Sequence, residues 1–61
     1  MGFVKVMDYN TRMYTLLNMD SISAIRQVPG GYYTIITSTN TELFLNTIDG
    51  KQVMDMLGIS F

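Results

Sequence analysis

The sequence predicts a small α+β protein, an antiparallel β-meander of four or five strands that ends in one short C-terminal helix. Short runs rich in β-branched and aromatic residues alternate with turn residues, which is the pattern of successive hairpins. Near the end of the chain, Val53 and Leu57 are four residues apart, the spacing of one helix face. The 61 residues leave room for a single domain, residues 1–61.

The N-terminal part is typical of a β-hairpin. Strands are predicted at Phe3–Met7 (FVKVM) and Arg12–Leu17 (RMYTLL). The turn Asp8–Thr11 between them contains Asp, Asn and Thr, which favour turns. Both faces of the second strand carry apolar side chains, so we expect this strand to be covered on both sides.

The segment Asn18–Val28 has two interpretations. Ile22 and Ile25 are three residues apart, which is a helical interval, but the nearby serines are poor helix-interior residues. We therefore expect a strand at Ile22–Val28 with a bulge near its start, and a partly helical segment is the alternative. Pro29 ends the pairing of this strand because it has no N–H to donate.

A second hairpin is predicted at Tyr32–Ser38 and Thr41–Leu45, with its turn at Thr39 and Asn40. The residues assigned to its outer face are uncharged: Thr34, Thr37, Ser38, Thr39 and Thr41. Such a face reflects either β-propensity combined with uncharged solubility or an open sheet edge that accepts a further strand. The low charge favours the open edge.

The C-terminal helix is expected to be capped by Asn46 or Thr47, whose side chains can accept hydrogen bonds from the first N–H groups. Gly50 weakens the first turn, so regular helix can begin as late as Lys51. Gly58 is a natural stop residue.

Composition limits how a chain of this size can be stabilised. Hydrophobic residues make up 48% and charged residues 15%, and the chain contains neither Cys nor His. Disulfides and the usual zinc sites are therefore excluded, and we expect no cofactor or metal. Because a core of this size is marginal, we expect a homo-oligomer. The apolar tail residues Ile59 and Phe61 are expected to pack on a sheet face or on a neighbouring subunit.

Charge and residue types also exclude classes of function. The only cations are Lys5, Arg12, Arg26 and Lys51, and the net charge is −1, which argues against nucleic-acid binding. No stretch approaches the roughly 18 apolar residues of a membrane span, so no membrane insertion is expected. The first ten residues lack an apolar signal segment, which favours a cytoplasmic location. The chain has no His or Cys, and three of its five carboxylates, Asp8, Asp20 and Asp49, lie near structural tasks, so we expect no enzymatic activity.

The aromatic and apolar residues are the candidates for contacts. We expect an interface that uses large rigid side chains: Tyr14, Tyr32, Tyr33, Phe44, Ile59 and Phe61. The primary hypothesis is a non-enzymatic interaction protein that self-associates and modulates a partner protein. The alternative is a phage- or plasmid-encoded binder, or sponge, for a small anionic ligand. Its pocket would lie at the subunit interface and use Arg26 with the adjacent Tyr32 and Tyr33.

The order of these features resembles the small flagellar and swarming motility proteins of the FlbD/SwrD type. The segments that carry the resemblance are FVKVM, NTRMYTLLN, DSISAI, the turn at Pro29, YTIITSTN, LFL and the helix with Val53 and Leu57. They cover nearly the whole chain. The resemblance implies a motility-related role and supplies no catalytic residues.

Overall fold

The computed structural model describes residues 2–61 as five strands and one α-helix, which confirms the predicted α+β class with its C-terminal helix. The elements are β1 (Phe3–Asp8), β2 (Met13–Asn18), β3 (Ile22–Val28), β4 (Tyr32–Thr37), β5 (Glu42–Leu45) and α1 (Thr47–Leu57), with a 3-10 turn at Met19–Ser21. The strands form two antiparallel sheets, β1-β2 and β3-β4-β5.

The first sheet is the hairpin expected at the N-terminus. Val4 pairs with Leu17 and Asp8 pairs with Met13, so the strands are aligned over their whole length. The turn closes through the Arg12 N–H, which donates to the Asp8 carbonyl at 2.7 Å. Arg12 adopts the left-handed conformation, with φ of 61°, that the backbone needs to re-enter the ladder.

The second sheet resolves the ambiguous segment. The β3–β4 register shifts between Ile22 and Ala24, and the 3-10 turn precedes the shift. The bulged strand is therefore confirmed, and helical geometry is confined to Met19–Ser21. Gly30 and Gly31 have φ of 100° and 90° in the turn that leads into β4.

The two sheets meet where β1 passes β5. The Tyr9 N–H donates to the Phe44 carbonyl at 2.6 Å, and the Phe44 N–H donates to Asp8 Oδ1 at 3.4 Å. The Met7 N–H donates to Asp49 Oδ2 at 3.1 Å. These bonds place β1 beside β5 and α1, so β2 and β3 are the outer strands. Over residues 2–61, no strand pairs with the second edge of either.

The core lies between the sheets and α1. It is formed by aliphatic and Met side chains from all these layers: Val4, Val6, Leu17, Met19, Ile35, Leu43, Leu45 and Val53. The core residues that belong to strands occupy alternate positions, as the period of two requires, while Met19 comes from the 3-10 turn and Val53 from α1. No helix within residues 2–61 has both the length and the apolar character needed to cross a bilayer.

Helix α1 begins earlier than its composition suggested. Asn46 is the cap, and its side chain accepts from the Asp49 N–H at 2.8 Å. Regular helix starts at Thr47 and passes through Gly50, which is buried against Tyr33. Gly58 ends the helix in the left-handed conformation, as expected. The Thr47 hydroxyl also donates to the Gly31 carbonyl, which ties the helix start to the β3–β4 turn.

Candidate interaction surfaces

The outer face of the β1-β2 hairpin is apolar and uncovered. We call it the hairpin face and define it by Phe3, Lys5, Met7, Tyr14 and Leu16, which point away from the core. Phe3, Tyr14 and Leu16 are 63%, 70% and 69% exposed. Lys5 pairs with Leu16, and its Nζ lies 4.5 Å from the centroid of the Tyr14 ring. The expected cover on both sides of β2 is thus provided on one side only by this chain.

A row of three aromatic rings in contact lies along the second sheet. This aromatic ladder consists of Tyr9, Tyr32 and Phe44. The Tyr9 and Tyr32 centroids are 5.5 Å apart, and the Tyr32 and Phe44 rings stack at 5.2 Å. Arg12 extends the row, with its Cζ 4.7 Å from the Tyr9 centroid, a cation–π distance. The rings support one another and are half-buried.

Arg26 lies on the same face of the sheet as the aromatic ladder. It is exposed and pairs with Thr34, and Thr34 in turn pairs with Phe44, so the three residues form one cross-strand row. Side chains on one row share a face. The register therefore brings a guanidinium to the side of the sheet that presents Tyr32 and Phe44.

Tyr33 lies on the opposite face, so the expected grouping of Arg26 with both tyrosines is corrected. Successive strand residues point to opposite sides of the sheet, and only Tyr32 shares the side of Arg26. Tyr33 is 4% exposed and packs against Gly50 of α1. Its placement in the interface set is corrected for the same reason, because the chain's own helix already covers it.

The C-terminal tail packs on this part of the core through one ring. The Phe61 and Tyr33 centroids are 6.3 Å apart, with an interplanar angle of 27°. Phe61 and Ile59 nevertheless remain exposed, so both are accessible for the intermolecular contacts predicted for them. The tail thus reaches its own sheet and keeps apolar surface available to another molecule.

A cleft of about 240 Å³ opens between β2 and the β4–β5 turn. We call it the threonine cleft. Thr37, Thr39 and Thr41 line one wall, where their Oγ1 atoms are 3.0 and 3.2 Å apart in succession. Leu17 and Leu43 also line it. Thr37 is buried, which corrects its assignment to the outer face with the other threonines. The sequence did not indicate this cleft, because its two walls come from different hairpins.

Three residues of these surfaces, Tyr9, Phe3 and Leu16, are not among the predicted contact residues. Tyr9 belongs to a turn, and an aromatic residue beside a strand end is a usable indication of ring stacking. Phe3 and Leu16 lie in the predicted strands, but the strand pattern alone does not say which face is open. Their alternation with Val4 and Leu17 contained that information once the core side was known.

The carboxylates near these surfaces have structural partners. Asp8 accepts the Phe44 N–H at 3.4 Å, which joins the two sheets, and Asp49 accepts the Met7 N–H at 3.1 Å, which joins α1 to β1. Asp8 Oδ1 also accepts from the Asn10 N–H at 3.1 Å. In the described part of the chain, no three acidic side chains cluster in a way that could hold a metal ion.

Neither a protein-family model, nor a curated protein, nor a solved structure matches the chain.

Proposed function

We propose that this protein is a non-enzymatic interaction protein that self-associates in the cytoplasm and modulates a partner protein. The observation that carries the proposal is the hairpin face, on which Phe3, Tyr14 and Leu16 are each more than 60% exposed on adjacent strands. Contiguous apolar surface of this kind marks interaction sites in soluble proteins.

The energetics favour covering this face with protein. Burial of a large apolar side chain contributes about 1.5–3 kcal/mol, and tyrosine is enriched among residues that dominate interface energy. A domain of about 60 residues buries a smaller share of its surface than a larger one and has little stability to spare. Association thus supplies burial that the monomer lacks.

The aromatic ladder offers a second surface, on the other sheet, for a partner. Its rings are flanked by Arg12 and Arg26, both exposed, so the surface favours a partner segment that carries carboxylates beside apolar groups. Under this proposal the partner belongs to the motility apparatus, as the resemblance to the FlbD/SwrD type implies. Because the hairpin face and the aromatic ladder lie on different sheets, self-association and partner binding can occur at the same time.

The second candidate function is binding of a small anionic ligand at the subunit interface. The row Arg26–Thr34–Phe44, with Tyr32 beside it, favours this function because a guanidinium can pair with an anion while a ring stacks on it. Native mass spectrometry of protein purified from cells tests this candidate. A stoichiometric anionic metabolite that disappears in Arg26→Ala would support it, and apo protein alone would count against it.

Light scattering from about 5 to 500 µM tests the primary proposal. The expected result is a mass that rises from monomer toward dimer, and a monomer at every concentration would refute self-association.

Partner binding is tested by capture from cell extract with the double variant Phe3→Ser/Tyr14→Ser, the variant Tyr32→Ala and the control Ile48→Ser. Ile48 is an exposed apolar residue on α1 that belongs to neither surface. A partner captured by the control and lost in Tyr32→Ala supports the ladder as the partner surface.

A further inference from the structure

The two open strand edges differ in how they are protected. β3 contains a bulge between Ile22 and Ala24, carries the exposed Arg26 and is followed at once by Pro29. Bulges, charged side chains and proline are the features by which native proteins prevent edge pairing. β2 has none of them, since its residues MYTLLN include no charge, no proline and no register shift. An unprotected edge of this kind favours pairing with another strand.

The backbone groups that point to the open edge of β2 can be assigned. The Met19 N–H donates to the Gly2 carbonyl at 3.1 Å, so the pair that follows Phe3–Asn18 is hydrogen-bonded. Bonded and non-bonded pairs alternate along an antiparallel ladder. The odd-numbered residues of β2 therefore bond β1, and the N–H and C=O groups of Tyr14 and Leu16 point outward. The threonine cleft borders this edge, and Thr15 and Leu16 line it.

We infer that β2 pairs antiparallel with β2 of a second copy, about a two-fold axis through Thr15, to form a continuous four-stranded sheet. Cross-strand partners share a face, and neighbouring residues of a strand lie on opposite faces. A two-fold axis between two residues would pair neighbours from opposite faces, so the axis must pass through a residue. Centring on Thr15 pairs Tyr14 of each copy with Leu16 of the other, through outward-pointing backbone groups. An axis through Leu16 would require the Asn18 carbonyl to accept a hydrogen bond from Tyr14 of the other copy. This carbonyl already accepts the Ser21 hydroxyl at 2.8 Å.

The second copy is the occupant that fits this edge best. Tyr14–Leu16 contacts form twice across the axis, and Thr15 meets Thr15, which is a favourable cross-strand pair. No like charges oppose one another, because β2 carries none. A single strand edge buries less than the standard area of about 800 Å² per partner, so the expected affinity is micromolar. The pairing would also join two hairpin faces into one larger surface.

Cysteine cross-linking tests this pairing directly, since the chain has no Cys. Thr15→Cys would place two thiols across the axis at a non-bonded pair, where Cα atoms lie about 4.5 Å apart and a disulfide can form. A glutathione redox buffer accepts the two electrons and two protons. We expect a covalent dimer from Thr15→Cys, and little from the control Ala24→Cys on the protected edge.

Proline substitution provides the second measurement. Leu16→Pro removes an outward N–H and should abolish the dimer in light scattering while the circular dichroism of the folded chain is retained. The inference rests on the proposed self-association, and the outcomes separate the two. A wild type that is monomeric throughout refutes both. A dimer that survives Leu16→Pro, or that cross-links no faster through Thr15→Cys than through Ala24→Cys, overturns the edge pairing alone.

Discussion

Gly50 is the position where α1 approaches the sheet most closely. A Cβ built there would lie 2.1 Å from Tyr33 Cδ1 and 2.7 Å from its Cγ. These atoms lie near the base of a buried ring, which has little room to move. The cost of displacing this ring is therefore expected to outweigh the gain in helix propensity of about 1 kcal/mol that alanine provides.

We predict that Gly50→Ala lowers the free energy of unfolding by about 1–3 kcal/mol, because the ring of Tyr33 must be displaced. Urea denaturation of the variant measures this change. Gln52→Ala, on the exposed side of the same helix, is the control and should be neutral or slightly stabilising. A stabilised Gly50→Ala variant would show that the helix can move away from the sheet without loss.

Asp49 has a tertiary role as well as a place in the first turn of the helix. Its Oδ2 accepts the Met7 N–H of β1. We predict that Asp49→Ala costs about 1–3 kcal/mol, because a part-buried N–H is left without its acceptor. The exposed Asp55→Ala is the matched control, with an expected change below about 0.5 kcal/mol. Equal effects of the two substitutions in urea denaturation would contradict the tertiary role.

The strands and helix were largely predictable from local pattern because each is bounded by residues with a clear conformational preference. Asp8, Pro29 and Gly58 separate elements through turn formation, a missing N–H and the left-handed conformation. The bulge near Ile22 was predictable because the apolar residues there fit both a helical interval and the alternation of a strand. The early start of α1 was not, since the fit of Gly50 against Tyr33 depends on a contact between distant parts of the chain.

The surfaces were less predictable than the elements. Residue type alone predicts contacts for both Tyr14 and Tyr33, but Tyr14 is exposed and Tyr33 is buried. Alternation assigns neighbouring residues to opposite faces without saying which face the helix will cover. The threonine cleft and the contact of Tyr9 with Tyr32 required knowledge of how the two hairpins pack together.

The cap of α1 gives a prediction at the scale of the element. Asn46 accepts from the Asp49 N–H, so Asn46→Ala should lower the free energy of unfolding by about 1 kcal/mol. Asn46→Asp keeps an acceptor at this position and is the matched control, with an expected change near zero. Thermal unfolding followed by circular dichroism distinguishes the two. Similar losses in both variants would show that the Asn46 amide has another role.

At the scale of the whole molecule, the proposed self-association would make stability depend on concentration, because the core is small and the edge of β2 is open. A chain of this length gains from a partner that binds only its folded form, and the gain grows with concentration. The hairpin face and the unprotected edge belong to the same two strands. Folding and assembly should therefore be linked through β2, and a substitution on this strand should separate them.

We predict that the melting temperature of the wild type rises by about 3–5 °C for each roughly tenfold increase in concentration above the dissociation constant. Leu16→Glu should lose this dependence, because a carboxylate is placed at the edge where the second copy pairs. The variant should still fold, since residue 16 is exposed and lies opposite Lys5, where an opposite charge is favourable. Leu16→Met is the control and should keep the dependence. A wild type whose melting temperature is independent of concentration would show that the chain folds without a second copy.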